Sequence, residues 1–173
     1  IELAANGADI IVNPSASPEV ATKSAWRQKL VSTTAGRLSV AYLYAGADPS
    51  ESTADIVMSG HAIISELGST LAERIPFDSA ASRLTTADID ITRIKHEKRA
   101  NSNYPNRHAY TLHQSSITPT QSRLRRTIDI KPFIPKGPAS DVDQRLDEIF
   151  TIQAYGLKQR LDTAGVQKVI IGL

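Results

Sequence analysis

The chain has 173 residues, 40% hydrophobic and 22% charged, a composition that suits a soluble globular protein of about one domain; the lack of cysteine excludes disulfides, thiolate metal sites and a cysteine nucleophile. No apolar run approaches the ~18 residues of a membrane span, and the opening IELAANGADI has no basic region followed by an apolar one, so a cytoplasmic protein is expected. The formal net charge of +2 hides an asymmetry: residues 93–136 hold ten Lys and Arg against two Asp and Glu, while the remainder holds ten against sixteen.

In chain order, the first element is ADIIV at residues 8–12, a short run rich in β-branched residues between Gly7 and Asn13-Pro14. It reads as a strand buried on both faces, as in a parallel sheet. Pro14 cannot donate to a ladder, so pairing is expected to fail there and the chain to leave as a loop. Such loops commonly carry binding groups. Ser24 is a plausible N-cap, and Leu30, Val31, Thr34, Ala35 and Leu38 share one face at helical spacing, which predicts a helix over 25–36. Trp26, near its start, is expected to pack against the sheet.

VAYLYA at 40–45 is a second near-continuous apolar strand. Short strands at 55–58, 61–65 and 70–75, with reversals at Ser59-Gly60 and Leu67-Gly68, suggest an antiparallel meander. TADIDI at 86–91 alternates like a half-exposed strand, and 92–99 reads as a short basic helix. Apolar residues then scatter without period through 100–136, which suits a linker or arm with one possible strand at 127–130.

Order returns at Ser140, a candidate cap with Asp143 at the third helical position. Val142, Leu146, Ile149, Phe150, Ala154, Leu157, Leu161 and Ala164 then recur at three and four residues, giving one apolar face over about six turns. Gly165 suits the terminus, and VIIGL at 169–173 reads as a buried strand. Helix, turn and strand look like the opening of a second α/β domain. Ile1 stands just ahead of one strand and Leu173 ends another, as expected of a segment cut from a longer protein.

For chemistry, Ser17 and Lys23 lie across a loop that turns into a helix, so a hydroxyl and an ammonium could together hold a carboxylate-bearing ligand. A turn-capping Ser17 and a solvated Lys23 explain the same spacing. Ser15 and Asn13 sit in the same motif and could simply shape the loop. Glu51, Ser52, Thr53 and Asp55 form a dense polar cluster whose side chains readily bond loop backbone. Asp88 and Asp90 could be paired carboxylates or solvent-facing alternation. His61, His96, His108 and His113 lack a zinc spacing, so no metal site is expected, and no GxSxG elbow supports a serine triad. Arg123, Arg125 and Arg126, with Lys131 and Lys136, could meet phosphates, but no recognition motif accompanies them. Nucleic acid is therefore a less apt partner than an acidic surface of a neighbouring domain or subunit.

Two stretches, GADIIVNPSASPEVATK at 7–23 and GADPSESTADIVMSGHAIISELGSTLAE at 46–73, resemble the glutamine-dependent NAD synthetases. QAYGLKQRL and VIIGL resemble the segment before that family's ATP-pyrophosphate loop. The resemblance implies an α/β chain with three parts. Residues 1–99 would be the C-terminal half of a nitrilase-type (carbon-nitrogen hydrolase) α-β-β-α sandwich, and 100–139 an interdomain linker. Residues 140–173 would be the first helix and strand of a Rossmann-like ATP pyrophosphatase domain.

It further implies that Ser17 and Lys23 contact glutamine, and that the catalytic Cys, Glu and Lys lie upstream of Ile1. The intact enzyme would use ATP and magnesium to amidate nicotinic acid adenine dinucleotide to NAD with ammonia released from glutamine, and this segment alone is expected to be inactive. A homo-oligomer is also implied. Two other readings are a stand-alone nitrilase-type amidase and a noncatalytic binding or assembly module built on the basic arm.

Overall fold

The computed structural model describes residues 1–79, 83–100, 111, 113–116 and 125–170. The chain divides into two units, Ile1–Arg126 and Thr127–Leu173. In the first unit, α1 (Glu2–Ala5) leads into β1 (Ile10–Ser15), α2 (Lys23–Arg37) and β2 (Ala41–Gly46). A 3-10 turn at Pro49–Glu51 precedes β3 (Ala62–Glu66) and β4 (Ser69–Arg74), and α3 (Ile91–Ala100) follows. The four strands form one mixed sheet in the order β1-β2-β3-β4. β1 and β2 are parallel, joined through α2, and the other neighbours are antiparallel.

The predicted end of pairing at Pro14 does not occur, since the ladder continues through Pro14↔Ala45 and Ser15↔Gly46. The carbonyls of Asp9 and Ser15 accept from Ala41 and Ala47, so the odd-numbered residues of β1 face β2. Pro14, of opposite parity, turns its nitrogen to the other side, where no bond to β2 is lost. Burial on both faces is also not observed. Ile11 is buried, packed with Ala4, Leu38 and Val40, while Ile10 and Val12 on the opposite face are exposed.

α2 runs slightly longer than the predicted 25–36 and starts at Lys23, after Thr22 in a left-handed conformation with φ 70°. Ser24 therefore lies inside the helix and is not its cap. Val31 packs with Tyr44 and Ile63 in the core, whereas Leu30 is exposed. Trp26 is 59% exposed, so it is not packed against the sheet as expected. A second apolar cluster joins Ala4, Ile11, Leu38 and Val40.

Among the expected meander strands, those at 61–65 and 70–75 exist as β3 and β4, closed by Leu67 and Gly68 with φ of 49° and 93°. Two successive positive φ values suit the twist of a tight hairpin. A Cβ on Gly36 of α2 would lie 3.3 Å from the Gly68 Cα, so glycine on both sides lets helix and turn approach. The strand expected at 55–58 is absent. Its backbone is tied to the loop instead, with Ile56 accepting from Thr53 N–H and Met58 donating to Ser52 Oγ.

TADIDI is likewise not a strand. Asp90 Oδ1 accepts from Arg93 N–H at 2.9 Å and caps α3, and Ile91 already belongs to the helix. The capping bond outcompetes the weak alternating pattern. Ile94 of α3 is fully buried, and Lys98 reaches back to the Ala8 carbonyl and Asp9.

In the second unit, the possible strand at 127–130 is irregular; Asp129 accepts from Lys131 N–H and pairs with Lys136, which folds the segment onto itself. α4 (Ala139–Ala164) follows, ending at Gly165 in the left-handed conformation with φ 62°. Ser140 is inside the first turn and donates to Asp141, so it is not the cap. No residue of α4 is buried. Residues 166–170 carry no regular secondary structure, and 171–173, most of the strand expected at 169–173, lie outside the described residues. Among the described residues no helix is long and apolar enough to cross a membrane.

Candidate functional site

The odd-numbered face of β1 continues into the loop after it, so Asn13, Ser15 and Ser17 look toward α2 and form one wall of a cavity of about 190 Å³. Trp26, Arg27 and Leu30 of α2 form the opposite wall, and Tyr42 and Tyr44 of β2 line it as well. Asn13 Nδ2 donates to the Tyr42 hydroxyl at 2.9 Å, which joins the two strands across that wall. The volume lies below the about 300–1,000 Å³ of sites for drug-sized ligands, and suits a smaller polar molecule.

Arg27 organises the polar side of this cavity. Its side chain is 4% exposed, and Nη1 donates to Glu19 Oε2 at 2.9 Å. The same nitrogen lies 2.8 Å from His61 Nδ1. Guanidinium can only donate, so Nδ1 accepts; His61 therefore carries its proton on Nε2, which meets Glu73 Oε1 at 2.9 Å. Ser59 Oγ donates to Glu19 at 2.7 Å, and Gln28 Nε2 to Glu73 at 2.8 Å. The guanidinium also stands 5.4 Å from the Tyr44 ring centre, within cation–π range.

Burial raises the Glu19 carboxyl, but the hydrogen bonds from Ser59 and Arg27, with the charge of Arg27, outweigh it and hold the group below its ordinary value. Glu19 is thus held as the anion that partners the buried cation. Of the residues around the cavity, Arg27 Nη2 and the Tyr44 hydroxyl are buried without a hydrogen-bond partner among the described residues. Both side chains line the cavity.

Of the residues singled out from sequence, Ser17, Ser15 and Asn13 line the cavity together. Lys23 does not line it; its Nζ donates to the Pro18 carbonyl at 2.6 Å, across the base of the same loop. Glu51, Ser52 and Thr53 knit the 48–58 loop: Glu51 accepts from Asp48 N–H in a capping box, Ser52 donates to Pro49, and Thr53 accepts from Asp55 and Ile56. Asp90 caps α3, while Asp88 accepts from Arg125 N–H. His96 and His113 are exposed, His61 is buried, and His108 lies outside the described residues. Among the described residues no group of three His, Cys, Asp or Glu could hold a metal ion.

The basic segment is partly spent within its own unit. Arg126 Nη1 donates to both oxygens of Glu66, each at 3.0 Å, and Arg93 stands 3.8 Å from that carboxylate. Glu66 is 2% exposed. Arg123 lies outside the described residues.

Sequence reasoning missed Arg27, Glu19 and Tyr44. A signal for the first was present, since Arg27 precedes Val31 by four residues and Ala35 by eight, on the face that the pattern assigns to the core. A cation in that row needs a buried partner.

No family model matches the chain. Along 99% of its length it is 31% identical to the glutamine-dependent NAD(+) synthetase of Mycobacterium tuberculosis strain H37Rv, and to that of Mycobacterium leprae at the same identity and coverage. It spans about a quarter of these relatives, 26% of each. Among solved structures, the glutamine-dependent NAD(+) synthetase of Cytophaga hutchinsonii is similar at 28% identity and a TM-score of 0.41, over 43% of this chain and 13% of that one.

Proposed function

From this kinship with one segment of the glutamine-dependent NAD(+) synthetases, we propose that the chain carries the substrate-holding part of a glutaminase site in such an enzyme. The observation that carries the reading is that 31% identity extends over 99% of the chain, across both units. Residues 1–99 would belong to a nitrilase-type sandwich, 100–139 to a linker and 140–173 to the start of a Rossmann-like synthetase domain. The mixed sheet with α2 against it is compatible with the first of these.

In the reaction, a cysteine thiolate supplied upstream of Ile1 attacks the side-chain amide of glutamine, releasing ammonia and leaving a thioester that water hydrolyses. The synthetase domain uses ATP and magnesium to activate nicotinic acid adenine dinucleotide for amidation by that ammonia. In this reading ATP and magnesium belong to the synthetase domain of the intact enzyme. What this chain contributes is binding. Ser17 offers a hydroxyl in the cavity wall, and Lys23, bonded to the Pro18 carbonyl, braces the loop and brings a cation to its base. The intact protein is taken to be a cytoplasmic homo-oligomer.

Replacing Lys23 with Ala in the intact protein should weaken glutamine-dependent NAD synthesis and spare synthesis from free ammonia. Equal loss of both would refute its role at the glutamine site. The alternative of a basic nucleic-acid module loses one of its cations to Glu66, which favours the arm as an intramolecular tie.

A further inference from the structure

Glu66 closes β3 with its side chain 1% exposed, and a carboxylate so buried is kept only where it is paired. Its partners come from two later stretches of the chain. Oε2 accepts from the Asp90 N–H at 2.7 Å, at the start of α3, and Arg126 Nη1 donates to both oxygens at 3.0 Å. Arg93 stands 3.8 Å away with its side chain 54% exposed, so the hydrogen-bonded counterion is Arg126. The residue before it is tied as well, since the Arg125 N–H donates to Asp88 at 2.6 Å. Two neighbouring residues thus anchor the chain where the first unit ends.

We propose that Glu66 and Arg126 form a latch that shortens the tether between the two units and thereby keeps ammonia released by one activity within reach of the other. The role of ammonia rests on the glutamine-dependent synthetase reading above; the latch does not. Latched, the tether ahead of α4 is residues 127–138; released, it is residues 101–138, counted from the end of α3. Effective concentration falls roughly as the −3/2 power of tether length, so a tether about three times longer lowers it about fivefold. Lifting Arg126 away would leave a buried carboxylate without its hydrogen-bonded cation, and that cost holds the latch shut. Arg126 touches no reacting group and is a positioning residue.

The test uses the intact protein and Arg126→Met, which keeps an unbranched apolar stem and removes the charge. Hydrogen exchange of the Arg125 amide should accelerate about tenfold or more, while the amides of β2, paired on both sides, change less than about twofold. With glutamine as the nitrogen source, ammonia lost to solution per NAD formed should rise about fivefold, while glutamine hydrolysis and NAD synthesis from added ammonia each change less than about twofold. Arg126→Lys should recover part of the loss.

Should Arg126→Met destabilise the first unit as a whole, the double variant with Glu66→Gln and Arg126→Met, which buries no unpaired charge, takes its place. An Arg125 amide that exchanges as in the wild type overturns the latch. A faster amide with no extra loss of ammonia overturns its part in coupling. If the wild-type protein makes no NAD from glutamine, the synthetase reading fails by itself, and exchange of the Arg125 amide alone decides the latch.

Discussion

Removing the Glu19 carboxylate should cost far more than removing an ordinary surface glutamate. The side chains of Arg27 and Glu19 are 4% and 10% exposed, so Glu19→Ala leaves a buried guanidinium without the carboxylate it pairs with. Breaking such a pair from one side costs about 3–5 kcal/mol. The Ser59 hydroxyl also loses its acceptor, which adds to the loss. Because Arg27 sits in α2, the effect should be read locally, as native-state hydrogen exchange of α2 amides in the intact protein. At about 1.4 kcal/mol per tenfold, exchange there should accelerate by roughly two to three and a half orders of magnitude. Replacing Glu19 and Arg27 together with Met removes both charges and should restore most of the protection.

The same carboxylate sets a pH dependence. Its folded-state pKa lies below the ordinary value, so its contribution is complete above the ordinary value and is lost as pH falls through the folded one. Glu19→Gln should flatten that part of the acid profile. An acceleration of less than about fivefold in Glu19→Ala, or no recovery in the double variant, would refute the reasoning.

Two further outcomes test the frame that holds the site. Ile63 is fully buried between α2 and β2, so Ile63→Ala should cost about 2–5 kcal/mol, measured as a fall in the denaturant midpoint of the first transition. Asp90→Ala removes the cap of α3 and should cost about 1 kcal/mol; helicity lost only from 91–100, seen by exchange of those amides, is the expected sign.

What the sequence made legible was governed by period and punctuation. VAYLYA, the Leu67-Gly68 turn and the long helix ending at Gly165 each combine a strong apolar pattern with a residue that suits its terminus, and each was found in place. Failures came where local hydrogen bonds beat pattern. Asp90 reads as one step of an alternating strand but caps a helix, and 55–58 reads as a strand but is held by Ser52 and Thr53. At the site, Ser17 was recognisable from its motif, whereas the partners of Arg27 come from residues 8, 34 and 17 positions away in sequence. No spacing rule announces such a set; it exists only once α2 lies on β2 and β3.

Pro14 has a consequence for the edge of the sheet. Its nitrogen faces the side of β1 opposite β2, and it carries no hydrogen. A strand adding itself along that side could zip onto Ile10 and Val12 but would meet a gap at Pro14, where the next donor is missing. Zippering would stop one residue before Ser15. The loop beyond Ser15 is thereby kept from that added pairing, and Ser17 keeps its place in the cavity wall.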